Sequence, residues 1–164
     1  MADAFELEVA TPERLIVQEH VTEAQIPARD GYIGVLPGHA PLVAELQNGV
    51  LSYVTGGSTR YLAIHGGFVE VLPDMVRVLA DLGERAEEID VPRAQAALQR
   101  AQKVIEEAHV DLDPASALAE MQRAQSRLEA AAKAGVKFFP DDGCIAGWRG
   151  VHPAGLVANV SPRA

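Results

Sequence analysis

Apolar and polar residues alternate through the first half of the chain. Phe5, Leu7 and Val9 fall on one face, with Glu6 and Glu8 between them, which is the period of a half-buried strand. Thr11-Pro12-Glu13 turns the chain, and Leu15 to Val17 and Val21 to Ile26 read as two more short strands. Leu42 to Leu46, Val50 to Thr55, Arg60 to His65, Phe68 to Leu72 and Val76 to Ala80 continue the pattern. Gly56-Gly57-Ser58 is a hairpin signal, because glycine accepts the positive φ of a tight turn. Gly66-Gly67 marks a bulge or kink, and Pro73-Asp74 another turn. Short strands with turns at this spacing predict a β-sandwich or barrel.

Near Asp90 the period changes. Ala94, Ala97, Leu98, Ala101, Ile105 and Ala108 follow helical spacing, with Asp90 as N-cap and Pro92 in the first turn. His109 to Leu112 breaks the pattern, and Asp113-Pro114 restarts it. Leu118, Met121, Ala124, Leu128 and Ala131 form a second stripe that Gly135 ends. Two helices of about 18–20 residues, roughly 30 Å each, are expected to form an antiparallel hairpin. Their stripes are mostly alanine, which favours helix strongly but buries little area. Such a hairpin holds its secondary structure while docking weakly, as a movable element would; a thin, static helical pair has the same composition. The expected division is a sandwich over residues 1–86, a hairpin over 87–134 and a tail over 135–164. The tail follows neither period, and no role is read from it.

One stretch stands apart from both patterns. Asp30-Gly31-Tyr32-Ile33-Gly34-Val35-Leu36-Pro37-Gly38-His39-Ala40-Pro41 brackets a short apolar run with three glycines and two prolines. That density of punctuation specifies one tight path, either a ligand cradle or a surface moulded to a partner.

Charge and composition narrow the classes. The 164 residues carry a formal net charge of −9, which argues against nucleic acid or an anionic lipid surface as a direct ligand. No apolar run reaches the roughly 20 residues of a membrane span, and Met1-Ala2-Asp3 leads straight into a strand pattern, so no leader is expected. Cys144 is the one cysteine, which excludes an internal disulfide and fits a reducing compartment. Gly31, Gly34 and Gly38 have the wrong spacing for a phosphate loop or a dinucleotide fingerprint. The five histidines lack metal-ligand spacing, and no serine sits in a nucleophile motif. A cytoplasmic, non-catalytic protein is expected.

Four segments, in order, resemble the epsilon subunits of bacterial F-type ATP synthases. They are Val9-Ala10-Thr11-Pro12-Glu13; Asp30-Gly31 with Gly34 through Leu42; Gly66-Gly67-Phe68-Val69-Glu70-Val71; and Val78-Leu79-Ala80. The resemblance covers about Phe5 to Leu128. It implies a sandwich of about ten strands, a place in the rotor beside the gamma subunit and the ring of c subunits, and a peripheral position on the cytoplasmic face of the cell membrane. It also implies a hairpin that extends into the catalytic alpha/beta head to block ATP hydrolysis, or folds onto the sandwich to permit it. Gly31, Tyr32, Pro37, Gly38, His39 and Pro41 are the implied partner contacts. Tyr32 departs from the family's usual acidic residue there, and His39 can equally be a histidine that ties a turn.

Ile89-Asp90-Val91-Pro92-Arg93-Ala94 is similar to a motif with which some members of this family bind ATP. Glu84, Asp90, Arg93, Arg100, Arg123 and Arg127 correspond to acidic and arginine residues that line their site, with Ile89 and Ala94 beside them. Spacing adds its own argument. Arg93 and Arg100 are seven apart on one helix, and Arg123 and Arg127 four apart on the next, so a hairpin lets both pairs converge on a phosphate chain. Arginine suits that task through its planar, permanently charged fork. The competing account is a solvated face on which these arginines pair with Glu106, Glu107, Glu120 and Glu129. ATP is thus expected as a regulatory ligand, with no cofactor required and no metal. A free-standing ATP-sensing module is the alternative, and a small hydrolase using His39 and Asp30 a more distant one.

Overall fold

The computed structural model describes residues 3–107 and 114–136 of the chain. Ten strands come first: β1 (Phe5–Ala10), β2 (Leu15–Val21), β3 (Glu23–Ala28), β4 (Gly31–Val35), β5 (Leu42–Glu45), β6 (Gly49–Thr55), β7 (Ser58–His65), β8 (Phe68–Val71), β9 (Met75–Leu79) and β10 (Leu82–Arg85). A 3-10 turn, Ala86–Glu88, leads to helices α1 (Val91–Glu106) and α2 (Pro114–Lys133). The predicted break at His109 to Leu112, the Asp113 cap and the tail beyond Val136 lie outside the described residues.

The strands form two five-stranded sheets, in the orders β2-β1-β9-β8-β5 and β10-β7-β6-β3-β4. β1 runs antiparallel to β2 but parallel to β9, with Glu6 opposite Met75 and Val9 opposite Val78. The alternation read from the sequence is what closes the sandwich. Phe5, Leu7 and Val9 from β1, Val69 and Val71 from β8 and Val76 and Val78 from β9 meet Ile26, Leu51, Leu62 and Ile64 of the other sheet. Among the described residues, no helical side chain takes part in this core.

Periodicity passed over β4 and β10. β4 falls in the stretch read as a tight loop path; its glycines hide an edge strand that pairs only with β3. In β10 the inward position is Gly83, where a Cβ would sit 2.7 Å from Ile16 Cδ1. A side chain of the neighbouring sheet fills the place that an apolar residue would otherwise mark. The Gly56-Gly57 hairpin is as expected, with φ of +55° and +76°. Gly67 is a necessity: at φ +100° its added Cβ would lie 2.0 Å from the Leu79 carbonyl oxygen.

Asp90 caps α1, its Oδ1 accepting the Arg93 amide at 3.0 Å. Gly135, at φ +70°, closes α2. Its amide donates to Ala132 O and the Val136 amide to Ala131 O, the paired bonds of a Schellman motif. α1 has 16 residues, fewer than expected, and α2 has 20. Ile89 and Val91 at the start of α1 pack with Ala130, Ala131 and Ala134 at the end of α2, so the helices run antiparallel.

α2 lies on the outer face of the second sheet, over β7 and β6, and α1 packs on α2. Ala130 and Ala131 meet Val50, Ala63, Ala86 and Ile89, while Ala94, Ala101, Ala117 and Ala124 are buried elsewhere along the pair. A buried methyl is worth about 0.8 kcal/mol, against about 1.5–3 for a Val or Leu side chain. The hairpin interface is therefore thin beside the sandwich core. Ile105 and Leu118, expected on the packed stripes, are 41% and 45% exposed. Both lie toward the far end of the hairpin, past Gln122, which accepts a hydrogen bond from Asn48 of the sandwich at 3.3 Å.

Candidate functional site

A cavity of about 370 Å³ opens where β10, the 3-10 turn and both helices meet, within the size range of small-molecule sites. Its walls combine Glu84 from β10, Asp90, Arg93, Ala94 and Arg100 from the start and middle of α1, and Arg127 from α2. Six of the eight residues singled out from sequence thus line one space. Glu84 stands there because β10 pairs with β7 so that Glu84 is opposite Ala63, on the face that carries the helices. Arg93 and Arg100 reach it from one line of α1, two turns apart.

Arg127 is half-buried and already engaged. Its Nε and Nη2 donate to Glu84 Oε1 at 3.0 and 2.7 Å. Arg93 and Arg100 are exposed, and neither has an ion pair among the described residues. For these two, the solvated face of the competing account is present but the carboxylate pairing it expected is not. Lys133 does pair with Glu129, at 2.8 Å, so that carboxylate serves a lysine instead.

Two predicted residues stand outside the cavity. Ile89 is buried against Ala130 and Ala131, beneath α2. Arg123 does not line it, because four residues along a helix rotate a side chain by about 40°, whereas seven bring it back to within about 20°. Glu120, seven before Arg127, holds the lining position that Arg123 was expected to fill. Its spacing was in plain view. Ala97, between Arg93 and Arg100, was equally visible. Glu88 was not, since the 3-10 turn aims it. Its carboxyl is held below the ordinary range, chiefly by a hydrogen bond from Arg14 in the β1–β2 turn.

The expected partner contacts divide between two places. Gly31 and Tyr32 sit on edge strand β4, with Tyr32 57% exposed and its hydroxyl accepting the Val50 amide at 3.4 Å. They border an open cleft of about 720 Å³ between the edges of the two sheets, with Leu42 and Val43 opposite. Pro37, Gly38, His39 and Pro41 form the connection to β5. Gly38, at φ +79°, donates to Pro73 O at 2.8 Å and pins this loop to the β8–β9 turn. His39 Nδ1 lies 2.7 Å from Ala40 O, so the ring ties its own loop. A further surface had no signal in the pattern. On the outer face of the first sheet, Leu15, Ala10, Leu79 and Phe68 are successive cross-strand neighbours. Phe68 and Leu79 are each more than half exposed.

Among the described residues no cluster of His, Cys, Asp and Glu could hold a metal ion, and no helix is long and apolar enough to cross a membrane.

Comparison with known proteins accounts for this architecture. Residues 4–86 match the family of ATP synthase Delta/Epsilon chain beta-sandwich domains, and residues 87–134 match the long alpha-helix domain of the same chains. The ATP synthase epsilon chain of Solibacter usitatus is 58% identical over 133 residues, covering 81% of this chain and 99% of that one. The epsilon chain of Syntrophobacter fumaroxidans is 44% identical over the same shares. Among solved structures, a chain of the Euglena gracilis mitochondrial ATP synthase shares the fold at a TM-score of 0.69 and 23% identity, covering 84% of each chain. The chain belongs to the ATP synthase delta/epsilon family, and within it to the epsilon chains of bacteria.

Proposed function

We propose that this subunit is non-catalytic, that it couples the gamma subunit to the ring of c subunits at the cytoplasmic face of the cell membrane, and that its hairpin is a brake on ATP hydrolysis which ATP itself holds off. The sandwich is the fixed part: its core needs nothing from the helices. The Gly31–Pro41 stretch and the apolar row through Phe68 and Leu79 are its exposed surfaces for rotor partners. The hairpin is the movable part, held by alanine contacts and a few polar pins.

One observation carries the nucleotide reading. The cavity takes its walls from β10, α1 and α2 together, so it exists only while the hairpin is docked. A ligand that binds there favours the docked form by its differential affinity. Moving the balance from 1:99 to 99:1 takes about 5.5 kcal/mol. Charge-assisted hydrogen bonds at about 1.5–3 kcal/mol each reach that with Arg93, Arg100 and a phosphate chain. Asp90 is placed to accept from an adenine amino group while its other oxygen caps the helix. When ATP falls, the hairpin is free to extend toward the catalytic alpha/beta head.

Calorimetric titration of ATP into the full chain tests this. Arg93→Ala with Arg100→Ala is the informative variant, because neither residue pins the hairpin, whereas Arg127 does. Saturable heat is expected from the native chain, with affinity at least about 100-fold weaker in the double variant. Equal heats from both would refute the arginine site, and no heat from either would refute nucleotide binding.

A further inference from the structure

We propose that His65 is a pH-sensitive latch for the hairpin: neutral, it lies beneath α2 and lets the helix dock; protonated, it drives α2 off the sandwich.

The geometry is an unusual way to bury an imidazole. His65 ends β7 on the face that carries the helices and is only 3% exposed. Its Nδ1 lies 3.4 Å from Ser126 Oγ on α2. That hydroxyl has a single hydrogen and lies 3.0 Å from Arg123 O and 3.1 Å from Gln122 O, so it donates into its own helix. What it presents to His65 is a lone pair, and the Nδ1 hydrogen donates to it. Nε2 is then a bare acceptor, and it has no partner among the described residues. A buried lone pair is tolerable. A buried N–H⁺ without an acceptor is costly.

The surrounding charges point the same way. From α2, Arg127 and Arg123 both disfavour a positive imidazole; from β10, Glu84 favours one but is already bonded to Arg127. Burial, the largest cause, and these arginines push the docked ring down to about 4 from its ordinary 6.5. Lifting α2 gives Nε2 to water and removes both arginines.

Linkage fixes the sign and the window. A depressed pKa in the docked state means that docking is fully supported above 6.5 and weakens as pH falls from there toward about 4. The onset is set by the undocked ring, so the response begins near neutrality. Between pH 7.5 and 5.5 the docking equilibrium should fall about tenfold. Under the brake mechanism proposed above, on which only its physiological meaning rests, acidification frees the inhibitory form.

Hydrogen exchange of the α2 amides in the full chain, corrected for the pH dependence of intrinsic exchange, reads the opening equilibrium directly. The native chain should open about tenfold more readily at pH 5.5 than at 7.5, and His65→Gln should lose that dependence. NMR titration of the native His65 ring keeps the test decisive should the variant fold poorly: a midpoint well below 6.5 is expected. A ring that titrates at 6.5, or opening equally pH-dependent in His65→Gln, would overturn the latch. No ATP is involved, so a calorimetric failure of nucleotide binding leaves this result standing, and the reverse.

Discussion

At the scale of single residues, Glu84 and Arg127 matter twice, as cavity wall and as pin between β10 and α2. Glu84→Gln removes the charge from a half-buried contact in which two Arg127 N–H groups share Glu84 Oε1. The expectation is a docking loss of about 1 kcal/mol, or roughly fivefold faster opening of α2 in hydrogen exchange without nucleotide. Unchanged exchange would show that the pair contributes nothing to docking. Gly67 makes a harsher prediction, since both its φ and its closeness to the Leu79 carbonyl exclude a side chain. Gly67→Ala should cost more than about 2 kcal/mol and lower Tm on the order of 10 °C, read by thermal unfolding. Part of the cavity lining was legible from spacing, since Arg93 and Arg100 share a line and the Asp90 cap has a sequence signature, while Glu84 and Ala94 were assigned to it only through the family resemblance. Arg123 misled because a four-residue step was treated as equivalent to a seven-residue one. The latch at His65 left no trace in the sequence, for nothing local to β7 tells that Ser126 will cover it.

At the scale of elements, sequence legibility followed side-chain size. Strands with alternating valine, leucine and isoleucine announced themselves; β10 did not, because Gly83 makes room for Ile16 from across the sandwich. The hairpin was equally clear, and its alanine stripes foretold an interface of small contacts, which Ala130 and Ala131 against Val50 and Ile89 bear out. Ending the chain after Asp90 should leave the sandwich folded, because no described helical residue enters its core. In the assembled synthase, that truncation is expected to raise ATP hydrolysis while leaving assembly intact, measured on membranes by ATPase assay and subunit content. Unchanged hydrolysis would make the hairpin a purely structural part here.

At the scale of the whole molecule, the two layers answer to different demands. The proposed coupling role asks for a sandwich that does not deform, and its core interlocks branched side chains from both sheets. The proposed brake asks for an element that responds to modest free energies, and the hairpin rests on methyl groups and polar pins. Neither pattern nor composition reveals how the outer faces are assigned. The second sheet turns its outer face to the helices, and the first turns Phe68 and Leu79 outward. That assignment arises from tertiary pairing, which a linear reading cannot supply.

The parallel pairing of β1 with β9 has a consequence for biogenesis. Glu6 finds its neighbour Met75 only after 69 further residues have left the ribosome (75 − 6). Pairings between such distant segments form slowly, because a long loop must close before any contact rewards it. The amino-terminal strand therefore waits, flanked on one side by β2 alone, until almost the entire sandwich has been synthesised. A nascent chain stalled before Leu79 exposes an unpaired sheet edge to whatever chaperone stands at the tunnel exit.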